Sequence, residues 1–178
     1  MSLAAPQSNS AAPELASQAA PQAESQAELA SGPRARVAWP HVGLGLAGLA
    51  ISLFSVHEHN IVKAGGSACD YTATISCDKV LSSAWAAPLG VPIGLFGAFF
   101  FAVVILTAIS TAPWPRPRSE ALTRLGLASI GLCGALGLLF ISKVLIGAWC
   151  PICLATHSVV LLNFLAASWA WKSLKTTR

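Results

Sequence analysis

The segment Trp149-Cys-Pro-Ile-Cys153 joins a short polar gap to an apolar run that extends to Trp171. Two cysteines with this spacing at the start of a helix lie one turn apart on the same face. The first sulfur lies near the helix N-terminus, where free amide groups and the helix dipole lower a thiol pKa. The segment therefore predicts a redox-active dithiol at one end of a membrane helix.

Composition places the rest of the chain in a lipid bilayer. Hydrophobic residues make up 54% of the 178 residues and charged residues only 10%, whereas a soluble domain is about 25% charged. Four apolar runs have the roughly 20 residues that a membrane-spanning helix needs: Val37–Val56, Val91–Ser110, Leu122–Leu145 and Cys150–Trp171. We therefore predict an all-α, polytopic membrane protein with a bundle of four transmembrane helices.

The ends of the chain differ in character from this bundle. Residues 1–33 contain no aromatic residue and no apolar periodicity, so they are predicted to form a disordered tail. The membrane domain is predicted at 34–172, with an outer loop at 57–90, and a second short tail at 173–178. Small residues at four-residue spacing in the third span, Ser129, Cys133 and Gly137, predict close helix contact there.

The basic residues predict the orientation. Eight of the eleven Lys and Arg residues fall on one side of the predicted spans: Arg34, Arg36, Arg116, Arg118, Arg124, Lys172, Lys175 and Arg178. Because basic loops stay in the cytoplasm, both termini are predicted to be cytoplasmic. The cysteine-bearing loops then face the outer, oxidising side of the membrane, where disulfides persist.

The outer loop contains a second cysteine pair, Cys69 and Cys77. Ser76 is placed to cap a short amphipathic helix that starts at Cys77 and lies on the membrane surface. The pair could exchange electrons with the C-x-x-C pair, or it could form one static disulfide that staples the loop. Spacing alone leaves both possibilities open.

Three segments and their order along the chain characterise this sequence: Cys77-Asp-Lys-Val-Leu-Ser-Ser83, Gly90-Val-Pro-Ile-Gly-Leu-Phe-Gly97 and Trp149-Cys-Pro-Ile-Cys153. A loop cysteine pair lies between spans one and two, and the C-x-x-C opens span four. This arrangement resembles the bacterial branch of the vitamin K epoxide reductase family over about Val37 to Trp171. The Dsb-type membrane oxidases, which also have four spans and two cysteine pairs, place the two pairs in the reverse order.

The resemblance implies a thiol:quinone oxidoreductase of a bacterial inner membrane, with its active site toward the periplasm. A periplasmic thioredoxin-like, Dsb-type thiol oxidase would pass electrons to the loop pair, then to the C-x-x-C pair, and finally to ubiquinone, menaquinone or phylloquinone in the membrane. Carried over by position, Cys77 exchanges with the partner, Cys69 attacks Cys150, and Cys153 faces the quinone. Ser83 matches a loop serine near the active site. Because the sequence ends at Arg178 without a fused thioredoxin-like domain, we expect the partner to be a separate protein.

His157 is the intramembrane residue most specific to this chain. It lies on one helical stripe with Cys150 and Cys153, at a position where animal members have tyrosine, so we expect it to bind the quinone. The alternative, purely structural interpretation is a buried histidine that is hydrogen-bonded to a backbone carbonyl. Six other polar or sulfur-bearing residues receive structural interpretations: Cys133 in packing, His41 at the interface, Lys143 snorkelling, Asn163 in an interhelical hydrogen bond, and His57 and His59 on a solvated loop face.

Two non-catalytic alternatives remain open at this stage. The four cysteines could hold a zinc or copper ion, or the protein could be a membrane scaffold in which both pairs are inert disulfides. No nucleic-acid partner is expected. The sequence also leaves the identity of the quinone and the acceptance of an epoxide undecided.

Overall fold

A computed structural model describes residues 38–67, 69–109 and 117–176 of the protein. The predicted disordered tail at 1–33 and four of the basic residues used for orientation lie outside the described residues. The described part contains five α-helices and no β-strand: α1 Trp39–Lys63, α2 Cys77–Leu81, α3 Ile93–Ile109, α4 Pro117–Phe140 and α5 Pro151–Thr176. Residue 173, where the second tail was predicted to begin, is still helical.

Three helical segments are long and apolar enough to cross a membrane, namely Trp39–Lys63, Arg118–Ile146 and Pro151–Leu174. The protein is therefore a multi-pass membrane protein. Helix α3 is strongly apolar but has 17 residues, which corresponds to about 25 Å at 1.5 Å per residue. That is slightly shorter than a hydrocarbon core of about 30 Å.

Helix α1 packs through a stripe of small and polar residues at three- and four-residue spacing. The buried members are His41, Val42, Gly45, Gly48, Ser52, Ser55 and His59. A Cβ atom on Gly48 would lie 2.3 Å from the ring of Phe101, which is itself fully buried. Only a residue without a side chain lets α1 and α3 approach this closely, as is usual where no hydrophobic force drives membrane helices together.

The small-residue stripe predicted on the third span is not the packing face of α4. Cys133 and Gly137 are exposed at the surface of the bundle, so the prediction that Cys133 is a packing residue is wrong. Alanines at seven-residue spacing are buried instead, namely Ala121, Ala128 and Ala135. The two stripes run along the same helix, and the sequence alone did not show which one faces inward.

A buried hydrogen bond joins α1 and α5 near the start of α1. The Nδ1–H of His41 donates to Oδ1 of Asn163 over 2.9 Å, which confirms the predicted interhelical hydrogen bond of Asn163. His41 is only 5% exposed, so its imidazole lies between the helices in the first turn of α1, and its position at the membrane interface stays a prediction. The imidazole gives Asn163 a partner inside an apolar bundle, where an unpaired amide would be costly.

A wide π-helical turn, Ile141–Ile146, ends α4 and leads into the C-x-x-C segment. Gly147 follows in the left-handed region at φ 73°, a conformation that glycine adopts at little cost. Ser142 closes the turn, because its hydroxyl donates to the carbonyl of Ala148 over 2.6 Å and its carbonyl accepts the N–H of Ala148 over 3.1 Å. Lys143 lies with its Nζ 5.1 Å from the ring centre of Trp149, in cation–π contact.

Candidate active site

Cys150 lies immediately before α5 and caps its first turn. Its carbonyl accepts the N–H of Leu154 over 2.9 Å, and its sulfur accepts the N–H of Cys153 over 3.3 Å. Pro151, the first helical residue, has no N–H group to leave unpaired. The C-P-x-C pattern thus sets the first sulfur on the free amide groups of a helix N-terminus, as predicted.

These contacts favour the thiolate form of Cys150. The Cys153 side chain donates a hydrogen bond to the Cys150 sulfur, and this is the largest cause that lowers the Cys150 pKa. The N–H groups of Cys153 and Ile152 lower the pKa further, against the opposing effect of burial. A thiolate is the reactive species in disulfide exchange, so Cys150 is prepared to exchange.

The loop cysteines form a disulfide between Cys69 and Cys77, with their Cα atoms 5.1 Å apart. The backbone N–H of Cys77 also donates to the carbonyl of Cys69 over 2.9 Å. The predicted cap is present, because Ser76 Oγ accepts the N–H of Lys79 over 3.1 Å. The second sulfur pair is therefore held at the N-terminus of a short helix, α2.

Backbone hydrogen bonds dock this loop onto the turn that precedes the C-x-x-C pair. Ile75 forms a parallel β-bridge with Trp149. The N–H of Ser76 donates to the carbonyl of Trp149 over 3.0 Å, and the N–H of Trp149 donates to the carbonyl of Thr74 over 2.8 Å. Trp149 immediately precedes Cys150, and Ile75 lies two positions before Cys77. The bridge therefore brings the two cysteine pairs together without requiring any particular side chain.

The result is a contact between one sulfur of each pair. Cys77 Sγ lies 3.7 Å from Cys150 Sγ, and the two residues are 0% and 1% exposed. Cys69 is only half-buried. The expected order, in which Cys69 attacks Cys150 and Cys77 meets the partner, does not match this geometry: Cys77 is the inner cysteine and Cys69 the outer one.

Helix α2 contributes to the protein interior as well as to the loop surface. Leu81 is 2% exposed and packs with Cys77 and Cys150 in one apolar cluster. The short helix predicted to lie on the membrane surface thus turns Leu81 toward the protein interior, whereas Trp85, in the following turn, is 51% exposed. The apolar cluster keeps water away from the sulfur contact.

Two cavities meet beside the C-x-x-C pair. A narrow one of about 50 Å³, here called the throat, has Ser83, Trp85 and Cys150 in its lining. A larger one of about 260 Å³, here called the chamber, lies between the four long helices. Both are also lined by Ile93, Leu138, Cys153 and His157. The second cysteine of the pair and the predicted histidine thus lie at the boundary between throat and chamber.

The two predicted polar ligands differ in their hydrogen bonding. Ser83 donates its hydroxyl proton to the carbonyl of Val80 over 2.7 Å, so in this arrangement it offers only an acceptor to the throat. His157 Nδ1 is buried and has no hydrogen-bond partner within the described part of the chain. The structural alternative, a histidine hydrogen-bonded to a backbone carbonyl, therefore does not apply to Nδ1 of His157.

His59 is a structural residue of the site that sequence reasoning missed. It was predicted to lie on a solvated loop face, but it belongs to α1 and is 3% exposed. Its Nδ1–H donates to the carbonyl of Leu81 over 3.0 Å, at the C-terminal end of the helix that begins with Cys77. The signal was its place in register with Ser52 and Ser55 on one helical face; His57, in contrast, is exposed.

Removing the His59 donor should loosen α2. His59→Leu leaves a buried carbonyl unpaired, which costs about 1–3 kcal/mol, so hydrogen exchange at the α2 amides should accelerate by about tenfold or more. His59→Asn, whose side-chain nitrogen takes the place of Nδ1, should restore most of the protection, and His57→Leu is the matched control. Equal exchange in the His59→Leu and His57→Leu variants would show that the His59 hydrogen bond does not hold α2.

Comparison with protein families supplies the context for this geometry. The family model described as the vitamin K epoxide reductase family matches residues 39–168, a range that includes all four paired cysteines, Ser83 and His157. Among curated proteins, no significant match to this sequence is found. The chain therefore belongs to the vitamin K epoxide reductase family.

Proposed function

We propose that this protein is a disulfide-forming thiol:quinone oxidoreductase of a bacterial inner membrane. It takes electrons from a periplasmic thioredoxin-like, Dsb-type protein and passes them through Cys69/Cys77 and Cys150/Cys153 to a quinone. The observation that carries the proposal is the 3.7 Å contact between the disulfide-bonded Cys77 and the thiol of Cys150. Family membership, which implies oxidoreductase chemistry on quinones, supports the same reaction.

The proposed topology has four spans and a periplasmic site. Helix α3, at 17 residues, is at the short end of the range of spanning helices, and α1 covers much of its length. The backbone N–H of Ala38 donates to the carbonyl of Ala108, so α1 begins beside the end of α3, as antiparallel spans require. The eight basic residues that the sequence pattern assigns to that side favour a cytoplasmic location for both termini.

Electrons enter through Cys69, the more accessible loop cysteine. A thiolate of the partner attacks the Cys69 sulfur, breaks the Cys69–Cys77 bond and releases Cys77. The partner's second thiol then displaces Cys69 and leaves the partner as a disulfide. The two partner protons end on the two loop thiols, so the loop pair has gained two electrons and two protons.

The loop dithiol then reduces an oxidised C-x-x-C pair across the 3.7 Å contact. The Cys77 thiolate attacks Cys150, forms a Cys77–Cys150 bond and releases Cys153. Cys69 next attacks Cys77, re-forms the loop disulfide and releases Cys150. The end point is a loop disulfide beside a C-x-x-C dithiol, the same pairing that the structure contains.

The chamber supports a quinone as the final acceptor. Its lining is mostly apolar with a few polar groups, and its volume of about 260 Å³ is just below the roughly 300–1,000 Å³ of ligand pockets. The buried, unpartnered His157 Nδ1 offers a hydrogen bond to a carbonyl oxygen. The Cys150/Cys153 dithiol gives up two electrons and two protons, closing its own disulfide as a quinone becomes a hydroquinone. Ser83, across the throat, remains a predicted contact.

The two alternatives fit less well. A four-cysteine metal site needs thiolate ligands, and Cys69 and Cys77 are joined to each other. A scaffold with two inert disulfides would not require sulfurs of different pairs to approach within 3.7 Å or an unpaired histidine nitrogen beside an apolar chamber. Both features have a direct use in electron transfer.

The order of the cysteines can be tested by trapping the exchange intermediate. In a Cys133→Ala background, Cys69→Ser with Cys153→Ser leaves Cys77 and Cys150, which should form a disulfide readily under mild oxidation. The matched control, Cys77→Ser with Cys153→Ser, leaves Cys69 and Cys150 and should form little. Peptide mass spectrometry without reduction detects the Cys77–Cys150 and Cys69–Cys150 disulfides. Efficient bridging only in the control would reverse the proposed order.

The chamber can be tested by filling it. An added Cβ on Gly134 or on Gly137 meets no atom within 4 Å, but only Gly134 lines the chamber. Gly134→Leu should therefore fold normally and lower quinone turnover by at least about tenfold, because its side chain occupies the ring's space. Gly137→Leu, on the same helix, should keep turnover near the wild-type value. Similar turnover in both variants would remove the chamber as the quinone site.

A further inference from the structure

A second buried polar atom without a partner belongs to a residue that lines the chamber, the hydroxyl of Ser52 on α1. Ser52 is 2% exposed and lines the chamber, yet its Oγ has no hydrogen-bond partner within the described residues. Of the buried side-chain atoms left unpartnered there, Ser52 Oγ and His157 Nδ1 belong to residues that line the chamber. Leaving a buried polar group unpaired is costly, and a ligand bound in the chamber is the natural partner for a donor on the chamber's lining.

The missing partner is unusual for a hydroxyl in a membrane helix. Serine and threonine normally donate to the carbonyl four residues earlier, and hydroxyls elsewhere in this bundle do so: Thr123, Ser129, Thr156 and Ser158. No such bond is formed by Ser52. Its hydroxyl proton is therefore available for a ligand, while those of the other four are already used.

Helix α3 packs against Ser52 but gives its hydroxyl no hydrogen-bond partner. A Cβ on Gly97 would lie 2.8 Å from Ser52 Oγ, and one on Gly94 would lie 2.8 Å from the Ser52 carbonyl oxygen. The two glycines therefore leave the room that the hydroxyl occupies. They contribute no side chain that could accept its proton.

We propose that Ser52 donates a hydrogen bond to one carbonyl oxygen of the quinone while His157 binds the other. The inference rests on the proposed function. A 1,4-quinone has two carbonyl oxygens on opposite edges of its ring, and both lose their water on entering an apolar chamber. Donors on α1 and α5 pair both oxygens and fix the ring beside Cys153. The site then selects ligands with two opposed carbonyls over those with one.

The test is infrared difference spectroscopy of bound quinone. Ubiquinone-1 and menaquinone-1, each labelled with ¹³C at C1 or at C4, are added to the purified protein, because a hydrogen bond lowers the stretching frequency of the carbonyl that accepts it. Both labelled carbonyls should be shifted down in the wild-type protein. Ser52→Ala should return one band to its unbound frequency, and His157→Phe should return the other.

Binding and stability separate this role from a structural one. Ser52→Ala should weaken quinone binding about fivefold, as expected for one hydrogen bond of about 1 kcal/mol, without lowering the thermal stability of the quinone-free protein. Ser129→Ala, whose hydroxyl is already bonded within α4, is the control and should leave both labelled bands in place. Unchanged bands and affinity in Ser52→Ala, with quinone still bound, would overturn this inference alone. Failure of the wild-type protein to bind either quinone would overturn the proposed function as well.

Discussion

The contact between Cys77 Sγ and Cys150 Sγ is the constraint on which the rest of the site depends. Disulfide exchange needs an attacking sulfur within reach of its target, and here two sequence-distant pairs meet at 3.7 Å. The contact is set by backbone geometry, since the bridge between Ile75 and Trp149 brings the segments before each cysteine side by side. Two further hydrogen bonds hold these segments in place. Ser142 binds the carbonyl of Ala148 before the C-x-x-C pair, and His59 binds the carbonyl of Leu81 at the end of α2.

The bilayer explains why few polar groups lie within the bundle and why several of them bind one another or the backbone. An unpaired polar group is expensive where water cannot reach it. His41 and Asn163 bind each other through Nδ1 and Oδ1, and His59 binds the end of α2. Among the buried side-chain atoms that lack a partner in the described residues, Ser52 Oγ and His157 Nδ1 belong to residues that line the chamber next to Cys153. In our proposals these two atoms are paired when a quinone is bound.

The sequence predicted the helical membrane fold, the cap at Ser76 and the placement of Cys150 at a helix N-terminus, because those features depend on local composition and spacing. It did not predict which face of each span is buried. Ser129, Cys133 and Gly137 form as regular a stripe as Ala121, Ala128 and Ala135, and only contact with neighbouring helices selects the second. The burial of His59 was missed because α1 extends to Lys63, beyond the predicted end of the first span at Val56. The approach of Cys77, and not Cys69, to Cys150 was missed because it depends on how the loop docks onto the turn at Trp149.

The stoichiometry of a single turnover tests the electron path most directly. The protein is fully reduced, freed of reductant and mixed without oxygen with excess ubiquinone-1 or menaquinone-1. If the loop pair discharges through Cys150, the wild-type protein should yield two hydroquinones per chain, one from each cysteine pair, and Cys150→Ser should yield none. A single hydroquinone from the wild-type protein would show that the loop pair is not connected to the quinone. One hydroquinone from Cys150→Ser would show that the loop pair reduces the quinone directly and bypasses the contact between Cys77 and Cys150.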